Sequence, residues 1–239
     1  MSDSTEHLVK SFDNDLKRLR DMLTEMGGIV ESQVAMAAEA IMERDSDVAM
    51  KVVEEDPKVD ALEREVEHFV IRMLALRQPM ASDLRRVVAA LKITGDLERI
   101  GDYASNVAKR SIVLGQFTLP YSLAGLAHMA TLVQEQLKSI IDALGTNDTA
   151  KAVEVWRSDR VVDDIYNALF RELITYMMED PRNITPCTHL LFIAKNLERI
   201  GDHTTNIAET VYYAVEGEVI PDVRPKGDTS AYAVVRPKE

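Results

Sequence analysis

Leu97-Glu-Arg-Ile-Gly-Asp102 and Leu197-Glu-Arg-Ile-Gly-Asp202 are the same six residues, one hundred positions apart. A repeated hexamer in a chain of this length has a chance probability on the order of 10⁻³. The likeness continues through Tyr103-Ala-Ser-Asn-Val-Ala108 and His203-Thr-Thr-Asn-Ile-Ala208. In each copy Glu and Asp stand four residues apart, with Asn106 or Asn206 four further on, so on a helix they share one face. Like charges at that spacing cost a few tenths of a kcal/mol. A glycine inside a helix costs roughly 1 kcal/mol against alanine. A sequence that keeps both costs twice has something that offsets them.

Outward from these motifs the chain repeats a larger plan. Phe12, Leu16, Leu19, Leu23, Met26, Val30, Val34, Ala37 and Ile41 recur at threes and fours, which predicts a helix over about 6–44, roughly 55 Å long. Gly27-Gly28 is a candidate bend. A second helix is expected over 47–77, with a possible break at Asp56-Pro57, and a third over 82–114. Leu119, Leu123, Leu126, Met129, Val133, Leu137, Ile140 and Leu144 predict a fourth over 118–144. Patterns over 149–179 and 184–216 complete six. The second and fifth segments align at an offset of 103 residues, the third and sixth at 100. The expected fold is all-α: two tandem, duplicated three-helix bundles at 5–115 and 118–216, with a disordered tail over 217–239. Truncating that tail is expected to leave the thermal midpoint nearly unchanged.

The alignment reveals a second acidic pair in each half. Asp56 and Asp60 on the second segment meet Asp159 and Asp163 on the fifth. If the helices are antiparallel neighbours, Asp56, Asp60, Glu98, Asp102 and Asn106 converge in the first half. Asp159, Asp163, Glu198, Asp202 and Asn206 converge in the second. Such oxygen-rich clusters suit hard cations: iron, manganese, magnesium or calcium, with zinc also possible. The plain alternative is a solvated face, with Asp56 and Asp159 as N-caps. Glu63 and Glu67 extend the first stripe, but Tyr166 and Phe170 replace them in the second half, so they are set aside. Arg99 and Arg199 read as counterions. His203 is matched by Tyr103 and is not taken as a ligand.

Composition narrows the function. A net charge of −12 without a basic block argues against nucleic acid. One cysteine, Cys187, rules out an internal disulfide framework, and its plain role is a small buried residue. No apolar run reaches spanning length and the start is unlike a signal peptide, so a cytoplasmic chain without direct membrane insertion is expected. A carboxylate-bridged di-iron enzyme needs two ExxH motifs. Glu65-Val-Glu-His68 is one, and its counterpart has Ala168 and Arg171.

The paired acidic motifs Asp56–Asp60, Glu98–Asp102, Asp159–Asp163 and Glu198–Asp202, in a duplicated three-helix layout over about 5–216, resemble the PhoU family of phosphate-specific transport regulators. Gln78-Pro-Met-Ala-Ser-Asp-Leu-Arg85 is also similar to that family's connection into the third helix. The second half departs from it at Pro181-Arg-Asn-Ile-Thr-Pro-Cys187. The resemblance implies a non-enzymatic, cytoplasmic homodimer that binds multinuclear metal through the acidic motifs. It also implies a negative regulator of the phosphate-starvation response, in contact with the ATPase of a phosphate ABC transporter and with a phosphate-sensing histidine kinase. A carboxylate-bridged metalloenzyme and a metal-free helical scaffold are the alternatives.

Overall fold

The computed structural model describes residues 2–119, 122–224, 227–228 and 230–233. Six helices follow in order: α1 (Ser2–Glu43), α2 (Ser46–Arg77), α3 (Ser82–Leu114), α4 (Ala124–Thr146), α5 (Thr149–Glu179) and α6 (Ile184–Glu216). Short 3-10 turns lie at Pro181–Asn183 and Ser230–Tyr232, and no strand occurs among the described residues. Among those residues, no helix is long and apolar enough to cross a membrane.

The predicted stripes are the core. Leu19, Leu23, Met26, Val30, Val34 and Ile41 of α1 are buried, as are Leu126, Met129, Val133, Leu137, Ile140 and Leu144 of α4. α1 passes through Gly27 and Gly28 without interruption. α4 begins at Ala124, six residues after the expected start, beyond Pro120. Proline removes a donor and biases the preceding residue away from helix. Leu119 and Leu123 still pack on the core from outside the helix.

The duplication extends to the turns. Arg44 and Asn147 both have left-handed backbones, at φ 55°. The next residue in each case is an aspartate that caps a helix. Asp45 Oδ1 accepts from the N–H of Asp47 and Val48 at 2.9 and 3.1 Å, and Asp148 Oδ1 from Lys151 at 3.0 Å. The caps of α2 and α5 are thus Asp45 and Asp148. Asp56 and Asp159 lie inside their helices, α2 running on through Pro57, so the N-cap alternative fails for both.

α3 and α6, which carry the repeated hexamers, pack on each other more extensively than any other pair. Arg85 meets Gly217, Asp96 meets His203 and Asn206, Tyr103 meets Arg199, and Arg110 meets Phe192. Rising numbers on α3 meet falling numbers on α6, so the helices are antiparallel. That register sets the two hexamers level with each other, at the internal two-fold of the duplication. This seam joins the two bundles, together with a smaller contact of α1 on α4, where Ile141 lies against Gly27.

Candidate functional site

Each half presents a groove between two helices, α2 and α3 in the first and α5 and α6 in the second, with the acidic residues along it. The buried side of each motif shows why glycine is retained. A β-carbon on Gly101 would lie 3.1 Å from Gln33 Oε1 and 3.5 Å from Val59. On Gly201 it would lie 3.6 Å from both Gln136 Oε1 and Val162. The glycines admit a buried glutamine from α1 or α4 and a valine from α2 or α5. Gln33 and Gln136 stand 103 residues apart, as the duplication requires, and the sequence reading overlooked them.

The first face is acidic and weakly compensated. All four carboxylates are partly buried. Burial pushes the Asp56 carboxyl above its ordinary range; Asp102 and Asp60 raise it further, while the Ser105 hydroxyl and Lys109 only partly oppose them. Burial also raises Glu98, with Asp102 adding to it and Arg99 opposing. Arg99 lies 3.6 Å from Glu98 and 3.4 Å from Asp102, an exposed pairing that offsets little of the charge. Glu63, set aside above, belongs to this rim: burial raises its pKa, as do Glu67 and Asp60. Asn106 is exposed at the end of the face.

The second face holds the matching residues in different company. Asp159, Asp163 and Glu198 are buried, while Asp202 and Asn206 are partly so. Thr205 Oγ1 donates to Asp159 at 3.2 Å, repeating the approach of Ser105 to Asp56. Lys195 Nζ lies 2.8 Å from Glu198, where the first half has Gly95. Burial nonetheless pushes Glu198 up to about 7. Burial disfavours the Lys195 charge, but hydrogen bonds to Glu198 and Asp228 outweigh this and carry it up to about 12. The two shifts differ because Glu198 is the more deeply buried partner: its side chain is 4% exposed against 31% for Lys195.

The described tail lies on this face. Gly217, at φ 82°, ends α6 and turns the chain back. Arg224 then bonds Asp159, Asp202 and Asn206, and the Gly227 and Asp228 N–H groups bond Asp163. The tail was expected to be disordered; its described residues are irregular apart from one 3-10 turn. Its contacts with the acidic motif were not foreseen.

Arg199 is not a counterion of the second face; its guanidinium lies 5.6 Å from the Tyr103 ring across the seam. His203 Nδ1 is hydrogen-bonded to Asp96 at 2.8 Å. Cys187 is buried.

The two faces differ in their fitness for a cation. The first has the right donors, carboxylate oxygens that repel one another at partly dry positions. The second, with the tail docked, already holds a guanidinium and an ammonium. Among the described residues no three Asp, Glu, His or Cys side chains stand close enough to hold one ion as placed.

An all-helical protein, internally duplicated with an acidic face in each half, is the class that fold and site define. The family profile described as the PhoU domain matches residues 23–111 and 126–211. The chain belongs to the PhoU family. It is 52% identical over 225 residues to a Caulobacter vibrioides protein named phosphate-specific transport system accessory protein PhoU homolog, covering 94% of this chain and 98% of that one. A Rhizobium meliloti protein of the same name is 48% identical over 229 residues, 95% of this chain and 97% of that one. The crystal structure of PhoU from Pseudomonas aeruginosa superposes with a TM-score of 0.85 at 42% identity, covering 87% of this chain and 100% of that one. The phosphate transport system regulatory protein PhoU from Streptococcus pneumoniae gives 0.82 at 30% identity, covering 89% and 100%.

Proposed function

We propose that the protein is a non-enzymatic, cytoplasmic regulator that restrains phosphate uptake and the phosphate-starvation response. It acts as a homodimer through contacts with the ATPase of the phosphate ABC transporter and with a phosphate-sensing histidine kinase. The observation that carries this reading is the near full-length match to proteins named as accessory to phosphate-specific transport. The acidic faces, lined by carboxylates that repel one another, support a role in binding a cation or a cationic group.

Asp56, Asp60, Glu98 and Asp102 would hold a metal ion on the first face, with Asn106 at its edge. Iron, zinc, manganese or magnesium would neutralise the carboxylates there and tie α2 to α3. The matching residues Asp159, Asp163, Glu198, Asp202 and Asn206 offer a second such face only without the tail.

Deleting the gene tests the regulatory reading. In phosphate-rich medium the deletion strain is expected to show a raised phosphate-starvation reporter and raised phosphate uptake, both restored by the wild-type chain. Unchanged reporter and uptake would refute it. Elemental analysis of stripped protein after re-equilibration with each metal tests the first face: uptake should fall in Asp102→Asn. Uptake insensitive to that change would place the metal elsewhere.

A further inference from the structure

The duplication offers two matching acidic faces, yet among the described residues only the second has a largely buried guanidinium seated in it; Arg99 on the first is exposed. The Arg224 guanidinium uses all three of its nitrogens. Nε donates to Asp159 Oδ2 at 3.0 Å, Nη1 to Asn206 Oδ1 at 3.0 Å and Nη2 to Asp202 Oδ1 at 2.6 Å. Nη2 also donates to the Asp202 carbonyl at 3.2 Å. A planar fork is the group best suited to such convergent acceptors. Asp163 is then met by main chain alone, from Gly227 at 2.6 Å and Asp228 at 3.1 Å. A β-carbon on Gly227 would lie 3.3 Å from that of Asp163, so the strap lies flush against α5. Lys195 closes the set, 2.8 Å from Glu198 and 2.9 Å from Asp228. Each carboxylate of the second face thus has a partner, and three of the four are met by the tail.

We propose that the second acidic face is a guanidinium site occupied in cis by Arg224, and that tail docking and divalent-cation binding at Asp159, Asp163, Glu198 and Asp202 exclude one another. With the tail docked, only the first face is open to a cation; this clause rests on the metal reading above, whereas the seat of Arg224 does not. Both kinds of ligand need the same oxygens. Asp202 Oδ1, 2.6 Å from a guanidinium nitrogen, cannot also take a metal ion. Among the described residues the first face has no equivalent strap. The chain leaving α3 passes Gly115 and Phe117 towards α4, and Gly95 stands where Lys195 supplies charge in the second half.

The test uses the full chain with Mn²⁺ as probe, read by calorimetric stoichiometry, together with amide hydrogen exchange over residues 218–233. Arg224→Ala is expected to bind more Mn²⁺ than wild type and to speed exchange at 218–224 by roughly tenfold or more. The extra binding should persist in Arg224→Ala/Asp102→Asn and vanish in Arg224→Ala/Asp202→Asn. Gly227→Val, which displaces the strap by crowding Asp163 and leaves every carboxylate in the sequence, should reproduce the gain. Unchanged exchange in Arg224→Ala would overturn the anchoring role. A freed tail without added Mn²⁺ binding would overturn the exclusion, as would a gain insensitive to Asp202→Asn. Binding by Arg224→Ala but none by wild type would refute the first-face metal reading and leave this proposal standing.

Discussion

Gln33 Oε1 stands 3.1 Å from the point where a β-carbon would project from Gly101, whereas the equivalent distance from Gln136 to Gly201 is 3.6 Å. The first is tighter than an ordinary contact and the second is an ordinary one. Alanine gains roughly 1 kcal/mol of helix propensity over glycine at either position. Gly201→Ala should therefore stabilise by about 0.5–1 kcal/mol. Gly101→Ala should gain less or lose, because the buried Gln33 must move. Denaturant unfolding of the two variants checks the difference; a larger gain at Gly101 would contradict the packing described.

Asp102 and Asp202 are the same residue of the same motif, but their removal should not cost the same. Asp102 is 39% exposed and pairs only with an exposed arginine, so Asp102→Ala should change stability by less than about 0.5 kcal/mol. Asp202 accepts a charged hydrogen bond from Arg224 at 2.6 Å. Asp202→Ala should cost about 1.5–3 kcal/mol. Equal thermal midpoints for the two variants would count against a docked Arg224.

Removing residues 218–239 should lower the thermal midpoint, reversing the expectation drawn from the tail's composition. Truncation takes the arginine from Asp159, whose side chain is 4% exposed, and two N–H donors from Asp163. Stripping one partner from a buried pair costs roughly 3 kcal/mol, or a fall of about 6–12 °C in a domain of this size. An unchanged midpoint in scanning calorimetry would show that the docking contributes no net stability.

Glu198 gives the protein a stability slope near neutrality. Burial opposes its charge, so its folded pKa, about 7, exceeds the ordinary 4.5. The resulting stabilisation is full below the ordinary glutamate value and is lost as pH rises through about 7. The upward shift of Lys195 acts only above its usual 10.5, and the lowering of Asp228 only below the usual 3.8. Burial, aided by Arg110, lowers His189, which works the other way below its usual 6.5. Between pH 6.5 and about 8, then, the thermal midpoint should fall as pH rises, and Glu198→Gln should flatten the fall. A slope unaltered in that variant would assign it to another group.

Much of this was legible in the residues. Apolar stripes spaced for a helix became the buried faces of α1 and α4 because periodicity reports burial directly. Comparing the chain with itself found the acidic pairs, since both copies hold them in register. Boundaries were harder. Nothing in composition separates Asp45, which caps α2, from Asp56, which lies within it; the extended backbone of Asp45 and the left-handed one of Arg44 do. Gln33 and Gln136 were missed because the helix they abut is remote in sequence. Arg224 was missed for a related reason: an irregular strap has no period, and its partners lie 65 and 22 residues away. One clue was available. Lys195 opposite Gly95 breaks the duplication beside the acidic motif and already says that the halves differ in charge.

The antiparallel seam of α3 and α6 has a mechanical consequence. Each helix has 33 residues, a rod of roughly 50 Å. The rods are locked at mid-length by Asp96, His203 and Asn206. The helices that carry the two acidic motifs are thus packed directly on each other, and a partner that grips both faces must match the separation that this packing sets.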